Sequence, residues 1–294
     1  MTIIQLNIAF KKLFNIKTWR RIYLDRLSSP LIYNLVSIFV LLFGDFKAKI
    51  SYDLVQKIPY AFGIDLAFSK ASNEKTKKIY IIEFGVASGD GLYRMALIAK
   101  KLSKIYKIDY EIIGFDTGLG MPKPIDYRDH PEKYREKDFP PINLRSSNLP
   151  PKTSIIYGEI RNTMQDFYKQ IKSKKNKIAF VSVDVDYYSS TVDCLEIFKF
   201  DSKYYLSSVP IYFDDIAQPD HNEYCGELLA ISEFNKNNLL RKICKMRGLR
   251  SRRKFKNARY LDQMFFCHIF DHAIRKIDYW KDEKRQVLIN PFIS

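Results

Sequence analysis

Cysteine, histidine and long apolar runs are scarce in this chain of 294 residues. The four cysteines, Cys194, Cys225, Cys244 and Cys267, lie 31, 19 and 23 residues apart. No C-x-x-C pair is present to hold zinc and no dense disulfide framework is possible, so a reducing, cytosolic setting is expected. The one long apolar run, Leu31 to Phe43, has 13 residues. As a helix it would reach about 20 Å, against about 30 Å of bilayer hydrocarbon. It follows a polar and basic lead and has no A-x-A-type cleavage site, which argues against both a spanning helix and a signal peptide. Internal repeats are absent. At 46% hydrophobic residues the chain is too apolar for disorder.

The formal net charge is +16, and its placement says more than its size. Residues 1–50 carry 8 basic and 2 acidic residues, 51–240 carry 26 of each, 241–259 carry 10 basic and no acidic ones, and 260–294 carry 5 of each. A diffusely basic nucleic-acid binder would not be neutral over its long middle, so no nucleic-acid partner is expected.

Before residue 77 the pattern is helical: IIQLNIAFKKLF, TWRRIYLDRL, the apolar run and YDLVQKIPYAFGIDLAFSKA follow one another. We read 1–76 as an N-terminal helical extension that either lies in a membrane interface through residues 1–50, packs on the core or makes a dimer contact. From Lys78 the texture becomes short apolar runs: KIYIIEF (78–84), YEIIGFD (110–116), TSIIYG (153–158), KIAFVSVDVD (177–186) and VPIYFDDI (209–216). Helical stretches separate them, the rhythm of a parallel sheet covered on both faces. Runs 239–246 and 263–270 would add a final pair of strands. Seven of the twelve prolines fall within 122–151, which we read as a lid-like loop.

The first strand ends in Glu83-Phe84-Gly85-Val86-Ala87-Ser88-Gly89-Asp90-Gly91 and runs into a helix. This E-x-G-x-x-x-G-x-G spacing differs from the dinucleotide G-x-G-x-x-G. It still permits a sharp turn, close backbone approach to a ligand and amides free for an anion. The next strand ends in Gly114-Phe115-Asp116, where a carboxylate could accept from a ribose diol.

At this point the sequence resembles the class I S-adenosylmethionine-dependent methyltransferases, and more narrowly the macrocin O-methyltransferase family of metal-dependent sugar O-methyltransferases. The resemblance is carried by IIEFGVASGDG (81–91), IIGFDTGLGMP (112–122), IYGEIRNTM (156–164), VDVDYYSST (183–191) and IYFDDI (211–216), and spans roughly 78–235. Ile216 departs from the aromatic residue that often follows the paired Asp. The resemblance implies a Rossmann-like, doubly wound, seven-stranded, mostly parallel α/β sheet with an antiparallel last strand over 77–294. It also implies S-adenosyl-L-methionine as cofactor, with Glu83, Gly85, Val86, Ala87 and Gly89 around its methionine part, Asp116 at the ribose, and Gly158 and Glu159 beside the adenine.

Asp184 and Asp186 close the fourth expected strand, and Asp214 and Asp215 the fifth. In the methyltransferase strand order these are neighbours about 4.8 Å apart, and carboxylates crowded there repel unless a proton or cation is shared. Oxygen ligands alone suit Mg²⁺, or Mn²⁺. The family pattern places Asp184, Asp214 and Asp215 on the metal; Asp184 and Asp186 are the catalytic candidates, with Asp186 as general base. Among Ser189, Ser190 and Thr191 one is expected to cap the next helix. Tyr187, Tyr188 and His130 are candidate substrate contacts. His268 and His272 have ligand spacing, but QMFFCHIF (263–270) reads as a strand and no H-E-x-x-H is present, so a packing or hydrogen-bonding role is the expectation. The connection 241–259, including Arg250 and Arg252, would border the substrate entrance and attract an anionic or lipid-linked sugar acceptor. Two readings compete with an O-methyltransferase: a glycosyltransferase using Asp184-Val185-Asp186 as a D-x-D motif, and a non-catalytic membrane- or polyanion-binding module.

Overall fold

The computed structural model describes residues 26, 28–140, 149–174, 176–218 and 220–276. Most of the expectation of N-terminal helices before residue 26 lies outside these residues. Among the described residues three helices precede the sheet: α1 (Leu31–Phe43), α2 (Phe46–Ser51) and α3 (Ile58–Asn73). Then β1 (Lys78–Phe84), α4 (Asp90–Tyr106), β2 (Asp109–Asp116), β3 (Thr153–Tyr157), α5 (Ile160–Lys172), β4 (Lys177–Val183) and α6 (Tyr188–Leu195) follow. The chain ends its described part with β5 (Ser208–Phe213), α7 (Gly226–Asn237), β6 (Arg241–Lys245), α8 (Leu249–Arg252) and β7 (Met264–Ile269).

The seven strands form one sheet in the order β3-β2-β1-β4-β5-β7-β6. Only β7 runs against the others, paired antiparallel with both β5 and β6. This is the Rossmann-like sheet with an antiparallel last strand that the motifs imply. Successive side chains of a strand point to opposite faces. Ile79 and Ile81 of β1 accordingly join the core under α3 and α4, and Tyr80, Ile82 and Phe84 join the core under α5, α6 and α7. Burial on both faces explains why the parallel strands read as unbroken apolar runs.

Helix α3 belongs to this core rather than to an appendage. Tyr60, Ala61, Ile64, Ala67, Phe68 and Ala71 are all fully buried in it. At Gly63 a Cβ would come within 2.2 Å of the Phe180 ring of β4, so the helix seats directly on the sheet. Part of the stretch read as an extension, helix α3, thus packs directly on the sheet. Among the described residues no helix is long and apolar enough to cross a membrane.

The chain enters the sheet at β1, builds outward to β3, then returns to β4 on the other side of β1. Sheets that reverse in this way bind ligands in the crevice beyond the carboxyl ends of the central strands. Pairing register makes that edge specific: Phe115, Phe84, Val183 and Phe213 lie in one row across β2, β1, β4 and β5. The residues that follow them, Asp116, Gly85, Asp184 and Asp214, therefore emerge side by side.

Candidate active site

A cavity of about 1080 Å³ opens over this row. Glu83, Gly85, Val86, Ala87, Asp116, Gly158 and Glu159 line it, as do Asp184, Asp186, Asp214 and Asp215. Of the expected cofactor residues, Gly89 alone is not in the wall; it stands at φ +77° as the N-cap of α4. Strands β4 and β5 end earlier than their sequence patterns suggest, at Val183 and Phe213, so the acids stand beyond the ladder, free to turn toward a ligand.

Gly85 sits at φ +82°, and a Cβ there would stand 1.8 Å from the Asp184 carbonyl oxygen. A Cβ on Gly91 would stand 1.9 Å from Glu83 Oε1. Both positions need glycine for closeness, and the first for its left-handed backbone as well. Glu83 is buried, accepts from the Tyr60 hydroxyl at 2.7 Å, and leaves Oε2 without a partner. Burial pushes its carboxyl up to about 8, against the opposing effect of the Tyr60 bond. An orphaned acid oxygen beside a glycine cradle fits a ligand with a cationic or hydrogen-bonding end.

Asp116 is more committed than the sequence suggests. Its Oδ2 accepts from the Val86 and Ala87 amides, both at 2.9 Å, and its Oδ1 from the Gly118 amide at 2.7 Å. With roughly four lone-pair positions on a carboxylate, one remains for a ribose hydroxyl rather than two. The same bonds use up two of the turn amides that were expected to be free for an anion.

Asp184, Asp214 and Asp215 each present an oxygen within 4.8 Å of the other two. Tyr212 donates to Asp214 Oδ1, and Gln218 Nε2 to Asp215 Oδ1. Asp215 Oδ2 is buried without a partner. Behind it Glu227, fully buried on α7, accepts from the Asp215 amide at 3.1 Å and leaves Oε1 unpartnered. Burial, followed by the charges of Asp186, Asp184 and Asp214, pushes Asp215 up to about 8. Asp184 is raised by burial and then by Asp214, Glu83 and Asp186. Asp186, held at the left-handed φ of +60°, is raised mainly by burial. Acids forced to hold protons at short range, with orphaned oxygens among them, are a donor set suited to a hard divalent cation.

The Pro-rich loop reaches this cluster. Tyr134 donates to Asp215 Oδ1 at 3.4 Å, and Lys133 binds the Gln218 side-chain oxygen. The loop is pinned by Asp129, which is fully buried and accepts from the Ser189 amide at 2.8 Å, the Ser189 hydroxyl at 3.0 Å and the Ile125 amide at 2.8 Å. Asp129 thereby serves the start of α6 in place of the expected local cap. The N-cap position is Tyr187, which makes no capping side-chain bond, and the Thr191 hydroxyl donates to the Tyr187 carbonyl.

The expected substrate contacts are not in the cavity wall. His130 is buried with Nδ1 3.0 Å from Glu132 and its ring 4.6 Å from that of His221. Tyr187 is fully buried and packs on Tyr134, and Tyr188 donates to Glu233 beneath the Arg128 guanidinium. Arg250 pairs with Asp262, and Arg252 is exposed away from the site. Strand β6 is the outermost, with β7 between it and β5, and no residue of 241–259 lines the cavity. Cations that do line it are Lys57, Lys123, Lys133, Lys137 and Arg161. His268 stacks on Phe270, and His272 Nε2 lies 3.2 Å from the Tyr205 carbonyl, the packing roles their strand context suggests.

Tyr60, Tyr134, Lys133, Gln218 and Glu227 are site residues that sequence reasoning missed. Tyr60, Lys133 and Tyr134 are brought in across long stretches of chain, whereas Gln218 and Glu227 follow Asp215 by three and twelve residues, and none stands in a motif. Glu227 carried one faint signal, an acid in the first turn of an apolar helix.

No protein-family model matches the chain, and no curated protein matches it. Among solved structures, CalS11, described as a calicheamicin methyltransferase, is 16% identical over 82% of this chain and 93% of its own, with a TM-score of 0.50. The O-methyltransferase NovP is 13% identical over 72% of this chain and 79% of its own, with a TM-score of 0.45. TomG of Streptomyces achromogenes, an O-methyltransferase of tomaymycin synthesis, is 11% identical over 83% and 98%, with a TM-score of 0.39. At such identities the likeness to CalS11 establishes a shared fold.

Proposed function

We propose that this protein is an S-adenosylmethionine-dependent O-methyltransferase, assisted by Mg²⁺ or Mn²⁺, that acts on a hydroxyl of a sugar. The observation that carries the reading is the row Asp116, Gly85, Asp184 and Asp214, which sets a glycine cradle with a buried acid beside a three-carboxylate cluster in one cavity. A methyltransferase activity like that named for CalS11, whose fold the chain shares, is of the same kind. The sugar as acceptor class rests on the motif resemblance.

When bound, S-adenosylmethionine supplies a methyl group activated as a sulfonium, and the divalent cation supplies the charge that makes a nearby hydroxyl acidic. Glu83, Gly85 and Gly158 would hold the former, and Asp184, Asp214 and Asp215 the latter. Asp186 lies two residues beyond Asp184 in the same cavity wall, beside Asp215 and Tyr134. Asp186, the carboxylate in the wall outside the three candidate metal ligands, would take the acceptor proton. Because methyl transfer is a direct displacement, the chain's share of the work is to align and deprotonate the acceptor.

Calorimetry tests the reading. Binding of S-adenosylmethionine and S-adenosylhomocysteine, with a divalent cation bound separately, is the expected result. Binding of a UDP-sugar with neither adenosyl ligand would favour the D-x-D glycosyltransferase instead, and full methyl transfer in excess EDTA would remove the metal from the scheme.

A further inference from the structure

Helix α1 is built inside out. Its exposed residues are Leu31, Ile32, Leu35, Ile38, Phe39, Leu41, Leu42 and Phe43, each between 53% and 73% exposed. Its polar residues face inward: Asn34 donates to the Arg26 carbonyl at 3.0 Å, and Ser37 donates to the Tyr33 carbonyl at 2.7 Å and is buried. A helix on a water-facing surface shows the opposite pattern, and a contiguous apolar face of this kind marks a contact with something apolar.

What lies beside it identifies the partner. The Arg26 guanidinium, which anchors α1 by donating to the Tyr52 and Asp53 carbonyls, rests 4.4 Å over the Phe255 ring. Asn257 donates to the Ser28 hydroxyl at 2.8 Å, Arg253 to the Ile50 carbonyl at 2.7 Å, and Lys254 to the Ser51 hydroxyl at 2.7 Å. The basic stretch that was expected at the substrate entrance is therefore docked at the root of α1. Arg247, Arg252 and Lys256 in it are exposed, and among the described residues none of the three pairs with a carboxylate. The described part of residues 1–50 thus meets the basic stretch at one place.

We propose that the outward face of α1 and the basic stretch 247–256 form one surface that seats the protein on an anionic lipid bilayer, with α1 lying in the plane of the interface. Its 13 uncharged residues suit immersion at the level of the headgroups and acyl chains, and at about 20 Å the helix is too short to span. The neighbouring cations match anionic headgroups. Pairing of this face with itself in a second copy is disfavoured, because a two-fold contact would set two acid-free basic stretches against each other.

Flotation of the full-length protein with vesicles tests this independently of any methyl transfer. Vesicles of phosphatidylcholine with about one quarter phosphatidylglycerol should retain the protein at low salt, at least about tenfold more tightly than phosphatidylcholine alone, and about 0.5 M salt should weaken that retention. An Ile38→Asp/Phe39→Asp variant and an Arg247→Glu/Arg252→Glu/Lys256→Glu variant should each lose about tenfold, with circular dichroism unchanged. The second alters exposed positions only, so it decides the matter if the first does not fold. Wild-type protein that ignores anionic vesicles overturns the proposal, as does vesicle binding that both variants retain. A wild-type dimer that the Ile38→Asp/Phe39→Asp change converts to monomer, without vesicle binding, overturns it in favour of self-association.

Discussion

The Tyr60 hydroxyl donates to Glu83 Oε1 across 2.7 Å, joining α3 to the end of β1 through two buried side chains. That bond fixes one carboxyl oxygen and leaves the other toward the cavity, and burial raises the acid to about 8. Near pH 6 Glu83 is mostly protonated, and a ligand end that favours its charged form must first displace the proton. Affinity for S-adenosylmethionine should therefore rise by up to about tenfold per pH unit between about 6 and 8 and level off above. Stability of the free protein should run the other way. A carboxyl raised on folding favours the folded state most below its ordinary value and loses that contribution as pH climbs through the folded value. Glu83→Gln should flatten the affinity profile and lessen the slope of the stability profile, to which Asp215 also contributes, as calorimetry and thermal unfolding from pH 5 to 9 would read.

The same logic applied to Asp215 predicts a variant that is more stable and less able to bind metal. Its carboxyl is buried among three acids and raised to about 8. Asparagine there preserves an acceptor for Gln218 and Tyr134 while removing a charge. Above pH 8 and in EDTA, Asp215→Asn should gain roughly 1–3 kcal/mol in urea unfolding over the wild type, with the gain vanishing near pH 5. Its Mn²⁺ affinity should fall by about a hundredfold or more. A wild type as stable as the variant at high pH would show that the acids do not strain the site.

Gly85 separates the two halves of the site, and its substitution should damage both. A Cβ at φ +82° would meet the Asp184 carbonyl oxygen at 1.8 Å, backbone that has no flexible end to give way. Gly85→Ala should cost roughly 2–4 kcal/mol in urea unfolding. It should also weaken both S-adenosylmethionine and Mn²⁺, since Asp184 must move with its carbonyl. Gly91→Ala meets the movable end of Glu83 instead, so its expected signature is lost cofactor affinity with Mn²⁺ affinity retained.

Local patterns made much of this legible. Strand β1 spans Lys78–Phe84 as its apolar run suggests, the glycine turn follows it directly, and Asp184, Asp214 and Asp215 converge as their strand-end positions imply. These features rest on spacing within a few residues and on one rule about which strands are neighbours. Features set by distant contacts were not legible. The inclusion of α3 in the core depends on Gly63 meeting Phe180, and the displacement of the basic stretch depends on Arg253 and Lys254 reaching Ile50 and Ser51. Nothing near Arg250 in sequence marks the turn that takes it from the cavity. His130 and Tyr187 were placed correctly in the loop and after the acids, yet their rings turn into the interior, where neighbours from other elements decide the orientation.

Asp129 is where a variable-looking loop becomes a fixed wall of the site. Its carboxylate accepts three hydrogen bonds, two from Ser189 at the start of α6 and one from the Ile125 amide within the loop, and it is fully buried. Replacement by alanine leaves two amides and a hydroxyl without their shared acceptor, at a cost of roughly 1–3 kcal/mol. The consequence should spread along the loop to Lys133 and Tyr134, whose contacts with Gln218 and Asp215 depend on its position. Amide hydrogen exchange over 121–138 should accelerate in Asp129→Ala while exchange in β1 and β4 stays slow. Asp129→Asn retains an acceptor for one amide but presents a donor where the other oxygen accepted, so it should fall between alanine and wild type. If exchange across the loop were the same in all three proteins, the loop would be held by its remaining contacts and Tyr134 would not depend on Asp129.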